Sequence, residues 1–148
     1  MSGASDFTFL HPLRVRWAEC DIQEIVYNVN YFLYFDVAVT EWFRALGFAQ
    51  SSKNLVEFVT VHARSDFRAP ARYDEMIEIG VRCARLGTKS MDVALEIYRD
   101  GEVLNQGLMT YAHFDQALKA TTPIPQMFID RVMELERKAP LMERKSDG

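Results

Sequence analysis

Three acidic residues, Glu19, Asp21 and Glu24, crowd one short stretch of this chain. Asp21 follows an alternating apolar strand and precedes a helix with almost no polar face, so the turn that carries it lies close to buried surface. A carboxylate in such a place either caps the helix or does chemistry, as a nucleophile or a general base. With Glu24 it makes the pair Asp-x-x-Glu, which suits a capping box. Glu24 also puts a second negative charge near Asp21. Glu19 shares a face with Asp21 if both are in a strand, and reads as a solvated edge charge. Cys20 adjoins Asp21 with no histidine near it in sequence, so it reads as a packing residue and not a nucleophile. His11, His62 and His113 occupy three separate strand patterns without a second ligand at close spacing. They read as structural histidines, and no metal is expected.

The elements around Asp21 follow from hydrophobic period. Phe7, Phe9, Leu13, Val15 and Trp17 alternate with polar residues and predict a strand, with Pro12 marking an edge or a bulge. From Tyr31 to Leu46 the chain is apolar almost throughout. Asp36, Thr40 and Arg44, with Glu41 beside them, form one narrow polar stripe at helical spacing. That pattern predicts a central helix buried on most of its circumference, with Asn30 as N-cap and Gly47 at C′. A polar connection spans Gln50 to Asn54, and strand patterns then dominate. They run from Val56 to Phe67, through a turn at Ala69–Asp74, then from Ile77 to Cys83 and from Met91 to Tyr98. Asp100-Gly101 is a two-residue hairpin signal leading into a strand from Val103 to Phe114. Pro123 and Pro125 precede a short amphipathic helix carrying Phe128, Ile129, Val132 and Leu135. The tail from Lys138 to Gly148 is polar and expected to fray.

This order predicts an α+β fold: a curved antiparallel sheet of about five strands wrapped around one long helix, with a short C-terminal helix. That is the hot-dog arrangement. The chain reads as a single domain over residues 1–148, with an ordered core at about 7–137. A net charge of −4, with no basic cluster interleaved with aromatics, speaks against a nucleic-acid partner. There is no signal-peptide pattern and no run of about 18 apolar residues for a membrane span. With two isolated cysteines, the expected compartment is the reducing cytoplasm.

Two blocks resemble the 4-hydroxybenzoyl-CoA thioesterase-like branch of the hot-dog acyl-CoA thioesterases. One runs Val15-Arg16-Trp17-Ala18-Glu19-Cys20-Asp21 and on to Asn30-Tyr31. The other is Asp66-Phe67-Arg68-Ala69-Pro70-Ala71-Arg72-Tyr73-Asp74-Glu75. The likeness extends from about Phe9 to Val132. It implies an acyl-CoA thioesterase that needs no cofactor, with Asp21 attacking the thioester carbonyl or activating water. It also implies that the backbone N–H of Asn28 polarises the thioester oxygen. Tyr27 and Tyr31, near the helix start, would line an acyl pocket. Arg85 and Lys89 offer cations for the phosphates of coenzyme A, though loop charges are more often simply solvated. Edge strands need cover, and the family buries its site between subunits, so a homodimer or a tetramer of dimers is expected. The chain departs from the family pattern at Glu24, where Gly is usual, and at Asn28, where many relatives carry His. Those departures keep open an acyl-binding hot-dog module without turnover, and a carrier-protein thioesterase is a related enzymatic alternative.

Overall fold

The computed structural model describes residues 6–48 and 56–145; the Gln50–Asn54 connection lies outside them. The central helix α1 runs Asn30–Ala45 and buries Tyr31, Tyr34, Phe35, Ala38, Val39, Trp42 and Phe43. Its end is a Schellman motif. Gly47 adopts φ +93, its N–H donates to Arg44 O (3.0 Å), and the Phe48 N–H donates to Phe43 O (2.9 Å). Its start corrects one expectation. Asn30 is the first helical residue and Val29 holds the cap position without a side-chain bond. The Asn30 side-chain amide instead donates to the Glu19 carbonyl at 2.8 Å, tying the helix start to the segment before it.

Five long strands make the sheet: β1 (Phe9–Arg14), β2 (Phe58–Phe67), β3 (Met76–Gly87), β4 (Ser90–Arg99) and β5 (Glu102–Asp115). They are antiparallel in the order β1-β3-β4-β5-β2. The helix-facing side chains of β3 and β4 (Ile77, Ile79, Val81, Cys83, Met91, Val93, Leu95 and Ile97) alternate as the period of two requires, and they form the core with α1. Close approach of helix and sheet is visible at Gly107, where a Cβ would collide with the Phe35 ring. The β4–β5 hairpin turns at Asp100 (φ 48) and Gly101 (φ 82). Both are left-handed, as the type I′ turn of an Asp-Gly pair demands. The outermost strand β2 is exposed along most of its length.

A short β6 (Ala120–Thr121) extends β5, and helix α2 (Gln126–Leu135) then lays Phe128 against Trp42, Phe43, Phe48 and Phe58. The tail expected to fray carries one more strand, β7 (Leu141–Glu143), parallel to the end of β3. Arg144 fixes it by donating to the carbonyls of Gly87, Thr88 and Ile124. These bonds use backbone acceptors, which a polar tail can reach without any apolar pattern in its own sequence. Among the described residues no helix is long and apolar enough to cross a membrane.

Between the start of β1 (Phe9, opposite Val81) and the start of β7 (Leu141, opposite Arg85) the edge of β3 is open, and the Glu136 carboxylate fills the gap by accepting the Cys83 N–H at 2.8 Å. Burial pushes this carboxyl up to about 7, against the opposing effects of the Cys83 N–H and Arg82. A raised carboxyl pKa stabilises the fold fully below the unfolded value, and that contribution is lost as pH rises through about 7. Melting curves from pH 5 to pH 8 are expected to drop for the wild type by on the order of 5 °C more than for Glu136→Gln. Parallel curves for the two proteins would show that Glu136 does not titrate in this window.

Candidate active site

After β1 the chain makes one 3-10 turn at Trp17–Glu19 and enters a narrow ribbon. Cys20 pairs with Val26, and Ile25 pairs with Arg72 from the turn that follows β2. At the tip of the ribbon the Asp21 N–H donates to Ile25 O (2.9 Å) and the Glu24 N–H to Asp21 O (3.0 Å). Glu24 sits at φ 63, the left-handed position where glycine is usual, and its carbonyl accepts the Tyr73 N–H at 3.1 Å. Asp21 does cap something, but it is this turn: its Oδ1 accepts the Gln23 N–H at 2.8 Å. The other oxygen, Oδ2, has no partner among the described residues.

Glu19 holds the ribbon and the helix together. It was expected as a solvated edge charge, yet it is only 4% exposed. The correction has a physical cause. Its Oε2 accepts Arg16 Nε (2.8 Å) and Nη2 (2.5 Å), while Oε1 accepts the Arg16 N–H (2.8 Å) and the Tyr34 hydroxyl (2.9 Å). Burial raises its pKa, but the bonds from Arg16 and Tyr34 outweigh that and leave it below the usual carboxylate range. The Glu19 carbonyl accepts both the Tyr27 N–H (3.0 Å) and the Asn30 amide (2.8 Å). Asn28 and Val29 are therefore held in a turn just before α1. Among the described residues their N–H groups have no acceptor.

Asp21, Tyr27, Asn28 and Tyr31 line one pocket of about 410 Å³, closed on the opposite side by Phe67 to Pro70. Tyr31 meets the Phe67 ring edge-on at 5.3 Å, and its hydroxyl accepts the Ala71 N–H at 3.0 Å. So four of the six residues singled out from the sequence come together. Arg85 and Lys89 do not join them within this chain. Arg85 is nine residues along β3 from Met76, about 30 Å of strand. There it pairs with Asp92 (2.8 Å) and contacts Glu143 (3.7 Å). Cys20 is no nucleophile in waiting: burial and the neighbouring carboxylates raise its thiol pKa, and its Sγ faces Arg16 O. Glu19 and the Phe67–Pro70 wall escaped the sequence reading. The first is visible only once Tyr34 is placed one helical turn into α1, and the second only once β2 is seated beside the ribbon.

A single sheet wrapped on one helix, with a carboxylate and free amides at the helix start, defines the hot-dog class of thioester hydrolases. The family described as the thioesterase-like superfamily matches residues 15–132, and the chain belongs to it. Acyl-CoA thioester hydrolase YbgC of Escherichia coli is 25% identical over 124 residues, covering 82% of this chain and 92% of the relative. Among solved structures, the PA5185 protein of Pseudomonas aeruginosa superposes with a TM-score of 0.81 at 27% identity, covering 91% of this chain and 96% of that one. A gentisyl-coenzyme A thioesterase, BH1999, superposes at 0.74 with 25% identity, covering 80% and 98%.

The Glu19 cluster yields a stability prediction. Tyr34→Phe removes one bond to a buried charge and is expected to cost about 1–3 kcal/mol in urea denaturation. Glu19→Ala leaves both Arg16 and the Tyr34 hydroxyl without their acceptor and is expected to cost more than Tyr34→Phe. Equal midpoints for all three proteins would mean that Glu19 does not organise this region.

Proposed function

We propose that this protein is an acyl-CoA thioesterase that hydrolyses its substrate to a free acid and coenzyme A, with Asp21 as the catalytic carboxylate. One observation carries the reading: Asp21, with one oxygen uncommitted, lines the same pocket as Asn28, whose backbone N–H lacks an acceptor among the described residues. A thioester carbonyl oxygen accepting the Asn28 N–H gains the positive end of α1 as negative charge develops on it. The bond from Gln23 to Oδ1 fixes the carboxylate, so Oδ2 meets the carbonyl carbon without reorganising.

Two routes follow from that geometry. In one, Oδ2 attacks the carbonyl carbon, the C–S bond breaks, thiolate leaves, and water then hydrolyses the acyl-aspartyl anhydride. In the other, Asp21 takes a proton from water as the water attacks, and the thiolate leaves with its electron pair. In single-turnover hydrolysis in ¹⁸O-labelled water, unlabelled product with labelled Asp21 marks the first route with water adding to the aspartyl carbonyl of the anhydride, an outcome the second route cannot give. The walls formed by Tyr27, Tyr31 and Phe67 supply apolar surface for the acyl group. The exposed β2 edge supports a homodimer with a continuous sheet.

The test is thiol release from benzoyl-, phenylacetyl-, short-chain and long-chain acyl-CoA by the wild type and by folded Asp21→Asn. Turnover by the wild type with a loss of about 10³-fold or more in kcat for the variant is expected. Equal rates would remove Asp21 from the chemistry and leave it as a turn cap. A wild type inert on every ester would favour the acyl-binding reading.

A further inference from the structure

The two tryptophans of this chain have opposite environments. Trp42 is fully buried under α2, whereas Trp17 is 60% exposed and meets the ring of Tyr73, itself 47% exposed, edge-on at 5.0 Å. An open indole paired with an open phenol is a sizeable apolar area to leave in water, and it sits where the catalytic ribbon is anchored. Trp17 opens the 3-10 turn that leads to Asp21, and the Tyr73 N–H donates to the Glu24 carbonyl at the ribbon's tip. Each ring is preceded in sequence by an arginine, Arg16 before Trp17 and Arg72 before Tyr73. Arg16 is held by Glu19 through Nε and Nη2. Arg72 forms no ion pair among the described residues, and its backbone lies directly opposite Ile25, a residue of the pocket wall. In a chain of net charge −4, this corner combines exposed aromatic faces with an arginine outside the ion pairs of the described residues, whose backbone N–H donates to the Glu75 carboxylate at 2.6 Å.

We propose that Trp17, Tyr73 and Arg72 form a subsite for the nucleotide end of coenzyme A, with the purine stacked on the aromatic pair and a phosphate against the Arg72 guanidinium. The inference deepens the acyl-CoA reading above and rests on it. Aromatic stacking takes any purine, while a planar guanidinium with open donors suits phosphate oxygens. The pantetheine arm joins this corner to the pocket, passing the ribbon that separates them. A subsite of this kind selects coenzyme A thioesters over carrier-protein thioesters, which share the phosphopantetheine arm and lack the purine. It also supplies the cationic group that Arg85, committed to Asp92, does not.

The test uses Trp17 as its own reporter, since the other indole is shielded. Titration of the whole protein with coenzyme A or adenosine 3′,5′-bisphosphate is expected to quench the exposed emission, titration with pantetheine is not, and Trp17→Phe abolishes the response. In kinetics, the ratio of kcat/KM for an acyl-CoA to that for the matching acyl-pantetheine is expected to fall about tenfold in Trp17→Ala and in Arg72→Gln. A merely structural role would lower both substrates together and leave that ratio unchanged, which would overturn the subsite. Hydrolysis of acyl-CoA with no response of Trp17 to either nucleotide would also overturn it while leaving the thioesterase reading intact. Absence of both coenzyme A binding by calorimetry and acyl-CoA turnover would overturn the two together.

Discussion

The arrangement at the helix start depends on one buried carboxylate. Glu19 accepts three N–H groups of Arg16 and the hydroxyl of Tyr34, while its own carbonyl takes the Tyr27 N–H and the Asn30 amide. An ionised group in that position would be costly if any of those donors were missing. Because all are present, the end of β1, the ribbon and the first turns of α1 are tied to a single point. The ties on either side of Asn28 leave its N–H free to face a ligand. The proposed oxyanion donor would have to stay unpaired in the resting protein, and the Glu19 contacts fit that requirement by satisfying the neighbouring groups instead.

Much of the architecture was legible because it follows from short-range pattern. The apolar run from Tyr31 to Leu46 could only be a buried helix, Gly47 could close it, and Asp100-Gly101 fixed a hairpin whose register sets β4 against β5. Four site residues were legible for the same reason, since Asp21, Tyr27, Asn28 and Tyr31 lie within eleven residues of one another at a strand-to-helix junction. The features that escaped the sequence depend on distant partners. Glu19 needs Tyr34, fifteen residues on, and the tail strand needs carbonyls near Gly87 that Arg144 reaches across fifty-six or fifty-seven residues. Arg85 looked free because Asp92 is seven residues away by chain but directly across the β3–β4 pair.

The departure at Glu24 is accommodated by local structure. A left-handed non-glycine residue costs about 1–2 kcal/mol, and the ribbon offsets this with bonds on both sides of it. The Glu24 N–H donates to Asp21 and its carbonyl accepts from Tyr73, so the turn is constrained from two neighbouring strands. Asp74, at φ 65, makes a second such turn a few residues away, where its N–H donates to Val15 O and its carbonyl accepts Arg14 Nη1. The two strained turns brace each other across the same ribbon, and that pairing holds Asp21 in place without glycine in either.

Capping and catalysis are then compatible roles for Asp21, because a carboxylate has two oxygens and four lone-pair directions. The Gln23 N–H takes one oxygen and fixes the plane of the group. A nucleophile or base held this way loses little freedom on meeting a substrate, which is the part of a bimolecular barrier that positioning removes. In the proposed reaction the thiolate is a good leaving group, and the Asn28 N–H would meet the forming oxyanion at the helix start. Under that proposal, positioning and a good leaving group carry the reaction, and neither needs an ionisable side chain at position 28.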